Sequence, residues 1–297
     1  MFNRGISEDF VKALKSWNHW EEIIKDPNLF VAIRHEYINI YFQGCSLFKI
    51  SYKEGLVPET HYKYLVRPTL THPYVEWVGE SPAIKDLINE VFVDAFDVGV
   101  LKRSARRFAR PEKTGLHKIL RCNGNVIDVE VALSPESEGE EETGDSSVEG
   151  RRGADRIDFA AVRRRDGNPC IVFFEAKRFE SKELRSQTGE PEVIEQAKRY
   201  KDFIDKHLLE FKMSYGRVCK NLVDLDLDGI DSRVVEVAGS ADRLEVDSNI
   251  RLVVFDFDED QRDGKKWNEH KKPLDRYFGD QLLLKGSPSE FTSGISK

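Results

Sequence analysis

A glutamate and a lysine two positions apart follow an apolar run that is typical of a buried strand. The run Ile171–Phe174 leads directly into Glu175, Ala176 and Lys177. Side chains two positions apart in a strand project from the same face, so Glu175 and Lys177 are expected to lie side by side. Burying a carboxylate and an amine is costly unless they pair or bind an ion. The pattern favours a charged site at the end of a sheet, although a solvent-exposed Glu–Lys pair has the same spacing.

An aspartate in the preceding strand-like segment is the second candidate. Asp158 lies in the alternating segment Arg156–Arg163, and Asp166 and Gly167 form a favourable hairpin turn after it. The hairpin would return the chain so that Asp158 lies beside Glu175. Two carboxylates that meet at a sheet end form an oxygen-rich site suited to Mg²⁺, with Mn²⁺ as a substitute.

A glutamine and a tyrosine on the next predicted helix are the third candidate. Pro191 is expected to open a helix that runs to about Phe211, with an apolar stripe at helical spacing. The stripe consists of Ile194, Ala197, Ile204, Leu208 and Phe211. Gln196 and Tyr200 are four positions apart and share a face, so they could hold an attacking water or a phosphate oxygen. The same pair also occurs where a helix simply packs against a neighbour.

The remaining periodicity predicts the elements that must position these residues. A helix capped by Ser7 is expected first. Further elements are predicted by alternation and helical spacing. They are strands over Tyr37–Phe42, Ser46–Tyr52 and His61–Arg67, a helix from Pro82 to about Phe108, and strands over Val126–Leu133, Arg251–Phe257 and Leu282–Leu284.

Composition limits the class of protein. The hydrophobic share of 39% and the charged share of 33% predict a soluble globular chain. No apolar run approaches the roughly 18 residues that a membrane span needs, and the first ten residues lack the apolar core of a secretory signal. The four cysteines have no paired spacing, which disfavours a zinc ribbon or a disulfide scaffold. The sequence therefore predicts a cytoplasmic protein with no membrane association.

The charge distribution is uneven. The net charge is −7, but Pro135–Glu149 alone holds seven acidic residues and no basic one, which predicts a flexible acidic loop over residues 135–150. Basic residues cluster in Lys102–Arg121, where eight stand against the single Glu112, and again in Arg163–Arg165. Such clusters can follow a phosphate backbone, although a solvated helix face has the same composition.

The order of these motifs resembles the PD-(D/E)xK nuclease superfamily. The resemblance rests on Asp158, on Glu175-Ala176-Lys177, and on Gln196 with Tyr200, which is similar to the helical signature of the RecB-type branch. It covers about Pro82 to Phe257 and implies an α/β restriction-endonuclease-like core, a mixed sheet flanked by helices. One departure is that Ile157 stands where the family has proline before the aspartate.

The resemblance implies a role for each of these residues. Asp158 and Glu175 would bind Mg²⁺, and Lys177 would orient or deprotonate the attacking water. Gln196 would position the water or the phosphate, with Tyr200 in support. In this family an upstream acid often completes the metal site, and we assign it to Glu130. Asp128, on the same predicted face, and Glu90, on the preceding helix, stay open.

The resemblance also implies a domain organisation and a partner. Residues 1–80 would form an N-terminal α+β extension of unknown role, residues 81–260 the nuclease-like core, and residues 261–297 a C-terminal extension. The expected substrate is nucleic acid, with DNA favoured, in bacterial defence, restriction or repair. A homodimer and a partner subunit both stay open. The competing hypothesis is a catalytically inactive nuclease-like module that binds nucleic acid or a protein partner.

Overall fold

The computed structural model describes residues 2–65, 77–78, 81–82, 96–133, 155–186, 189–292 and 295. In these residues the protein is a mixed α/β structure with one four-stranded and one five-stranded sheet. The predicted acidic loop over residues 135–150, Glu90 and residues 83–95 of the predicted helix over residues 82–108 lie outside the described residues. No helix in the described part of the chain is long and apolar enough to cross a membrane.

The N-terminal residues form two helices and an antiparallel sheet. The predicted first helix is confirmed, and the Ser7 side chain accepts a hydrogen bond from the N–H of Phe10. The elements are α1 (Glu8–Ser16), α2 (Trp20–Lys25), β1 (Phe30–Ile33), β2 (Tyr37–Phe42), β3 (Cys45–Tyr52) and β4 (Leu56–Glu59). The predicted strand over His61–Arg67 is wrong in its described residues, His61–Leu65; the strand that pairs with β3 lies earlier, with Leu56 opposite Tyr52. Residues Tyr62–Tyr64 instead form a 3-10 turn.

Two helices connect this sheet to the central one. A two-residue ladder joins β5 (Trp77–Val78) and β6 (Ser81–Pro82), and α3 (Val98–Ala105) and α4 (Pro111–Arg121) follow. Within its described residues, the predicted helix over residues 82–108 is confirmed at Val98–Ala105 and wrong at Pro82, which belongs to β6. We did not predict α4, which Pro111 opens in its first turn.

The central sheet is mixed, as the resemblance implies. Its order is β11-β10-β9-β8-β7, with β7, β8 and β9 antiparallel and β9, β10 and β11 parallel. The strands are β7 (Val126–Ala132), β8 (Arg156–Arg165), β9 (Asn168–Arg178), β10 (Glu245–Phe255) and β11 (Leu282–Leu284). The predicted hairpin is confirmed, and φ values of +50° at Asp166 and +84° at Gly167 fit a tight two-residue turn. Strand β10 starts six positions before the predicted Arg251, because it pairs with β9 from Cys170 onward.

Helices after β9 cover the sheet and complete the fold. They are α5 (Glu192–Lys206), α6 (Leu208–Asp224), α7 (Ser232–Gly239), α8 (Glu259–Asp263) and α9 (Lys265–Phe278). The helix predicted from Pro191 to about Phe211 is confirmed over Glu192–Lys206 but does not continue, because non-helical angles at His207 (φ −124°, ψ 20°) separate α5 from α6. Leu208 is consequently 39% exposed, whereas Phe211 is fully buried.

A buried ion-pair cluster ties the N-terminal residues to the central sheet. Asp128 on β7 has no exposed surface and pairs with Arg34 and with Arg4, the latter at 3.4 Å. The Tyr215 hydroxyl donates to the same carboxylate at 3.2 Å. Apolar residues of both sheets belong to one continuous core, so this polar cluster sits within packed surroundings.

Candidate active site

Two carboxylates face each other across the β8–β9 hairpin. The backbone ladder ends at the pair Phe159–Phe174, and its register places Asp158 opposite Glu175 at the next position. Beyond that end, the N–H of Ala176 donates to Oδ2 of Asp158 at 2.7 Å. The aspartate thus replaces a strand carbonyl as acceptor, and its side chain is held against β9. This confirms the predicted juxtaposition of Asp158 with Glu175.

Lys177 neutralises part of this negative charge. Its Nζ lies 2.9 Å from Oε1 of Glu175 and also pairs with Glu183, which belongs to the 3-10 turn Lys182–Leu184 after β9. Glu175 is 4% and Lys177 6% exposed. As the strand period predicts, the two side chains share one face of β9.

Burial and mutual charge interactions shift the pKa values of Asp158, Glu175 and Lys177. Burial raises the pKa of Asp158 well above its usual range, and the neighbouring Glu175 carboxylate raises it further. Burial likewise raises the pKa of Glu175, against the opposing effect of Lys177. The carboxylates of Glu175, Asp158 and Glu183 outweigh desolvation and raise the pKa of Lys177. Carboxylates crowded in this way favour either a shared proton or a bound cation.

Helix α5 brings Gln196 and Tyr200 to the same place. The Tyr200 hydroxyl donates to the carbonyl of Arg156 at 3.0 Å, which fixes the start of β8 two residues before Asp158. Burial and the nearby carboxylates raise the pKa of Tyr200, so the phenol keeps its proton. Both side chains line the cavity described next.

One cavity of about 1040 Å³ contains every residue that we predicted to be catalytic. Its lining includes nine acidic and six basic residues. They are Glu112, Glu130, Asp155, Asp158, Glu175, Glu183, Glu190, Glu192 and Glu195, with Arg110, Lys113, Arg156, Lys177, Arg185 and Arg199. The cavity is large enough for several atoms of a polar ligand, and its excess of acids suits a cation.

The upstream acids take different positions. Glu130 lines the cavity, and the β7–β8 register places it opposite Asp158. It pairs with Lys113 at 3.4 Å and with Arg156 at 3.9 Å. The prediction that Asp128 shares its face is wrong, because Glu130 adopts a left-handed φ of +52° and Asp128 is instead buried among arginines. Glu90 lies outside the described residues.

The lining also includes residues that we did not predict as site residues, among them Glu112, Glu183 and Arg185. Burial raises the pKa of Glu112, the single acid in the basic segment Lys102–Arg121. A single acidic residue within a basic segment is a sequence feature that could have identified Glu112 as a candidate site residue. Glu183 and Arg185 carry no such signal, because their position depends on the turn that follows β9.

The described residues accommodate a divalent cation without enclosing one. No group of three or more His, Cys, Asp or Glu side chains in the described part of the chain forms a ready metal cluster. However, Oε2 of Glu175 and Oε1 of Gln196 are buried and accept no hydrogen bond from described donors. Because Mg²⁺ commonly takes one or two carboxylates and completes its shell with water and phosphate, Asp158 and Glu175 fit such an ion.

No protein-family model, curated protein or solved structure matches the chain.

Proposed function

We propose that the protein is a metal-dependent nuclease that hydrolyses phosphodiester bonds of DNA on a restriction-endonuclease-like core of the PD-(D/E)xK type. The observation that carries the proposal is the convergence of Asp158, Glu175, Lys177, Gln196 and Tyr200 in one cavity. These residues come from two strands and a helix, and the order of the motifs supports the same family. The mixed central sheet supports the core that the resemblance implies.

Asp158 and Glu175 would hold Mg²⁺, or Mn²⁺ in its place, with Glu130 as the third acid on the neighbouring strand. The unpartnered oxygen of Glu175 supports this assignment, because a buried acceptor without a donor is costly unless something else satisfies it. The bound ion would lower the pKa of a water and offset negative charge on the phosphate.

Lys177 would act as a fixed positive charge. Its three carboxylate neighbours raise its pKa, so the amine holds its proton at neutral pH and cannot accept another. A protonated amine can donate to the attacking water or to a phosphate oxygen and stabilise the charge that develops there. Of the two roles that the resemblance implies, orientation is therefore favoured over deprotonation of the water.

Gln196 and Tyr200 would position the reactants. The amide oxygen of Gln196 is a buried acceptor without a described donor, so it can accept a hydrogen bond from the attacking water. Tyr200 acts indirectly, because its hydroxyl is bonded to the Arg156 carbonyl and thereby supports the strand that carries Asp158.

The test is cleavage of supercoiled plasmid, linear duplex and single-stranded DNA with Mg²⁺ or Mn²⁺. We expect metal-dependent cutting by the native protein and a loss of about 100-fold or more in Lys177→Ala, because the change removes a charge aimed at the transition state. Lys201→Ala is the matched control, since Lys201 lies on α5 in a surface pair with Asp205, outside the cavity.

Equal cutting by the native protein and Lys177→Ala would refute this mechanism. Absence of cutting together with absence of metal binding would favour the alternative, a nuclease-like module that only binds nucleic acid or a protein. A binder of nucleic acid would retain DNA with a steep salt dependence and leave it intact.

A further inference from the structure

Arg185 lines the cavity, and backbone carbonyls and aromatic rings hold its guanidinium group in place. It follows the 3-10 turn Lys182–Leu184, is partly buried, and lines the same cavity as Asp158 and Glu175. Its Nη1 donates to the carbonyls of Phe179 and Ser181, the latter at 2.8 Å. One edge of the guanidinium is therefore occupied by backbone oxygens.

Aromatic rings hold the guanidinium in place. Its central carbon lies 5.1 Å from the ring centroid of Phe179 and 5.7 Å from that of Trp267. These two rings contact each other, with centroids 4.6 Å apart. Arginine stacks on aromatic rings with little loss of charge, so this support orients the group before any ligand arrives.

No ion pair within the described residues neutralises the positive charge of Arg185. Four other cations of the cavity form ion pairs: Lys177 with Glu175 and Glu183, Lys113 and Arg156 with Glu130, and Arg199 with Asp155. In the described part of the chain, Arg185 has no carboxylate within ion-pair distance, and its Nε and Nη2 have no acceptor. A partly desolvated guanidinium with two donors to spare is suited to an anionic ligand.

We propose that Arg185 is the phosphate-binding group of the cavity, and that it donates from Nε and Nη2 to two oxygens of a backbone phosphate of the bound nucleic acid strand. This inference rests on the proposed function, since it names how that site holds its substrate. The acidic lining repels a polyanion, so a phosphate needs an unpaired cation there. The planar fork of arginine matches two phosphate oxygens, which a lysine cannot do.

The experiment measures binding of a short fluorescein-labelled single-stranded DNA by anisotropy, with metal chelated so that no cutting occurs. We expect Arg185→Gln to weaken binding about tenfold or more, because a charge-assisted hydrogen bond is lost. The slope of log K against log salt should fall by about one, which reports a lost phosphate contact. A merely structural role would lower the melting temperature and leave that slope unchanged.

Two further variants separate geometry from charge. Arg199→Gln removes the same charge from the same cavity, but Asp155 already neutralises it, so binding should change less than about twofold. Arg185→Lys keeps the charge and loses the fork, so it should bind more weakly than the native protein with an unchanged slope. It also tests the site if Arg185→Gln fails to fold.

If Arg185→Gln and Arg199→Gln weaken DNA binding equally, the proposal is overturned, because binding would then depend on the net charge of the cavity and not on a specific contact of Arg185. Native-like binding by Arg185→Lys would overturn the two-oxygen contact. If DNA binding depends on Arg185 but no metal supports cutting, the nuclease proposal fails and the phosphate site stands. If the native protein and Arg185→Gln cut DNA with the same KM, the phosphate site is refuted and the nuclease proposal stands.

Discussion

Asp158→Asn should make the metal-free protein more stable, the reverse of most changes at buried residues. Asparagine has nearly the same volume, and its amide oxygen can still accept the hydrogen bond from the N–H of Ala176. At a pH high enough to ionise both carboxylates, the substitution removes one of two facing negative charges. The neighbouring Glu175 keeps its ion pair with Lys177.

The β8–β9 register gives the size of the repulsion between Asp158 and Glu175. Facing residues on antiparallel strands have Cβ atoms about 5 Å apart. Two unit charges at that separation repel by about 3 kcal/mol with an effective dielectric constant of roughly 20. Lys177 offsets part of this repulsion, which leaves a gain in unfolding free energy of about 1–2 kcal/mol. At about 2–4 °C per kcal/mol, the melting temperature should rise by roughly 2–8 °C.

The assay is thermal unfolding in a chelator and then in Mg²⁺. The native protein should gain about 1.4–2.7 kcal/mol when Mg²⁺ is about 10 to 100 times its dissociation constant, whereas Asp158→Asn should gain nothing. Asp155→Asn is the matched control, because Asp155 is 48% exposed and pairs with Arg199. The reasoning is refuted if Asp158→Asn lowers the metal-free melting temperature and keeps the Mg²⁺ response.

Three further predictions concern stability. Burial lowers the pKa of His117 to about 4, so below about pH 6.5 the unfolded chain binds more protons and stability should fall by up to about 1.4 kcal/mol per pH unit. His117→Gln, which can still donate to the carbonyl of Asn28, should flatten urea-unfolding free energies between pH 7 and 5, and an unchanged slope would contradict this assignment. Asp128→Asn should cost about 3–5 kcal/mol in urea unfolding, because it leaves two buried arginines without their counter-charge, and a loss below about 1 kcal/mol would argue against that pairing. Gly115→Ala should lower the unfolding free energy by about 1–3 kcal/mol, because its Cβ would lie 2.2 Å from the Phe255 ring; an unchanged melting temperature would contradict that close packing.

Local rules account for the parts of the site that the sequence predicts. The Asp166-Gly167 turn and the two-residue period of strands bring Asp158 opposite Glu175 and put Lys177 on the same face. These rules act over fewer than about ten residues on each strand, where backbone sterics dominate and distant packing has little influence.

Other features depend on contacts between distant residues. Asp128 is separated from Glu130 by the left-handed backbone at Glu130, and Arg34 and Arg4 reach it from 94 and 124 positions away. Neither the alternation of β7 nor its composition contains that information. The same holds for the break at His207, which divides a continuous apolar stripe into two helices.

The sequence by itself determined the hairpin, the paired carboxylates with their lysine, and the helix that carries Gln196 and Tyr200. Only the tertiary structure decided which upstream acid reaches the cavity. It also decided that Arg185 lines the cavity with Nε and Nη2 not hydrogen-bonded to described residues. The physical reason is that burial and charge pairing are properties of the assembled interior. A side chain's free energy there depends on neighbours from several elements, and periodicity along one segment cannot specify them.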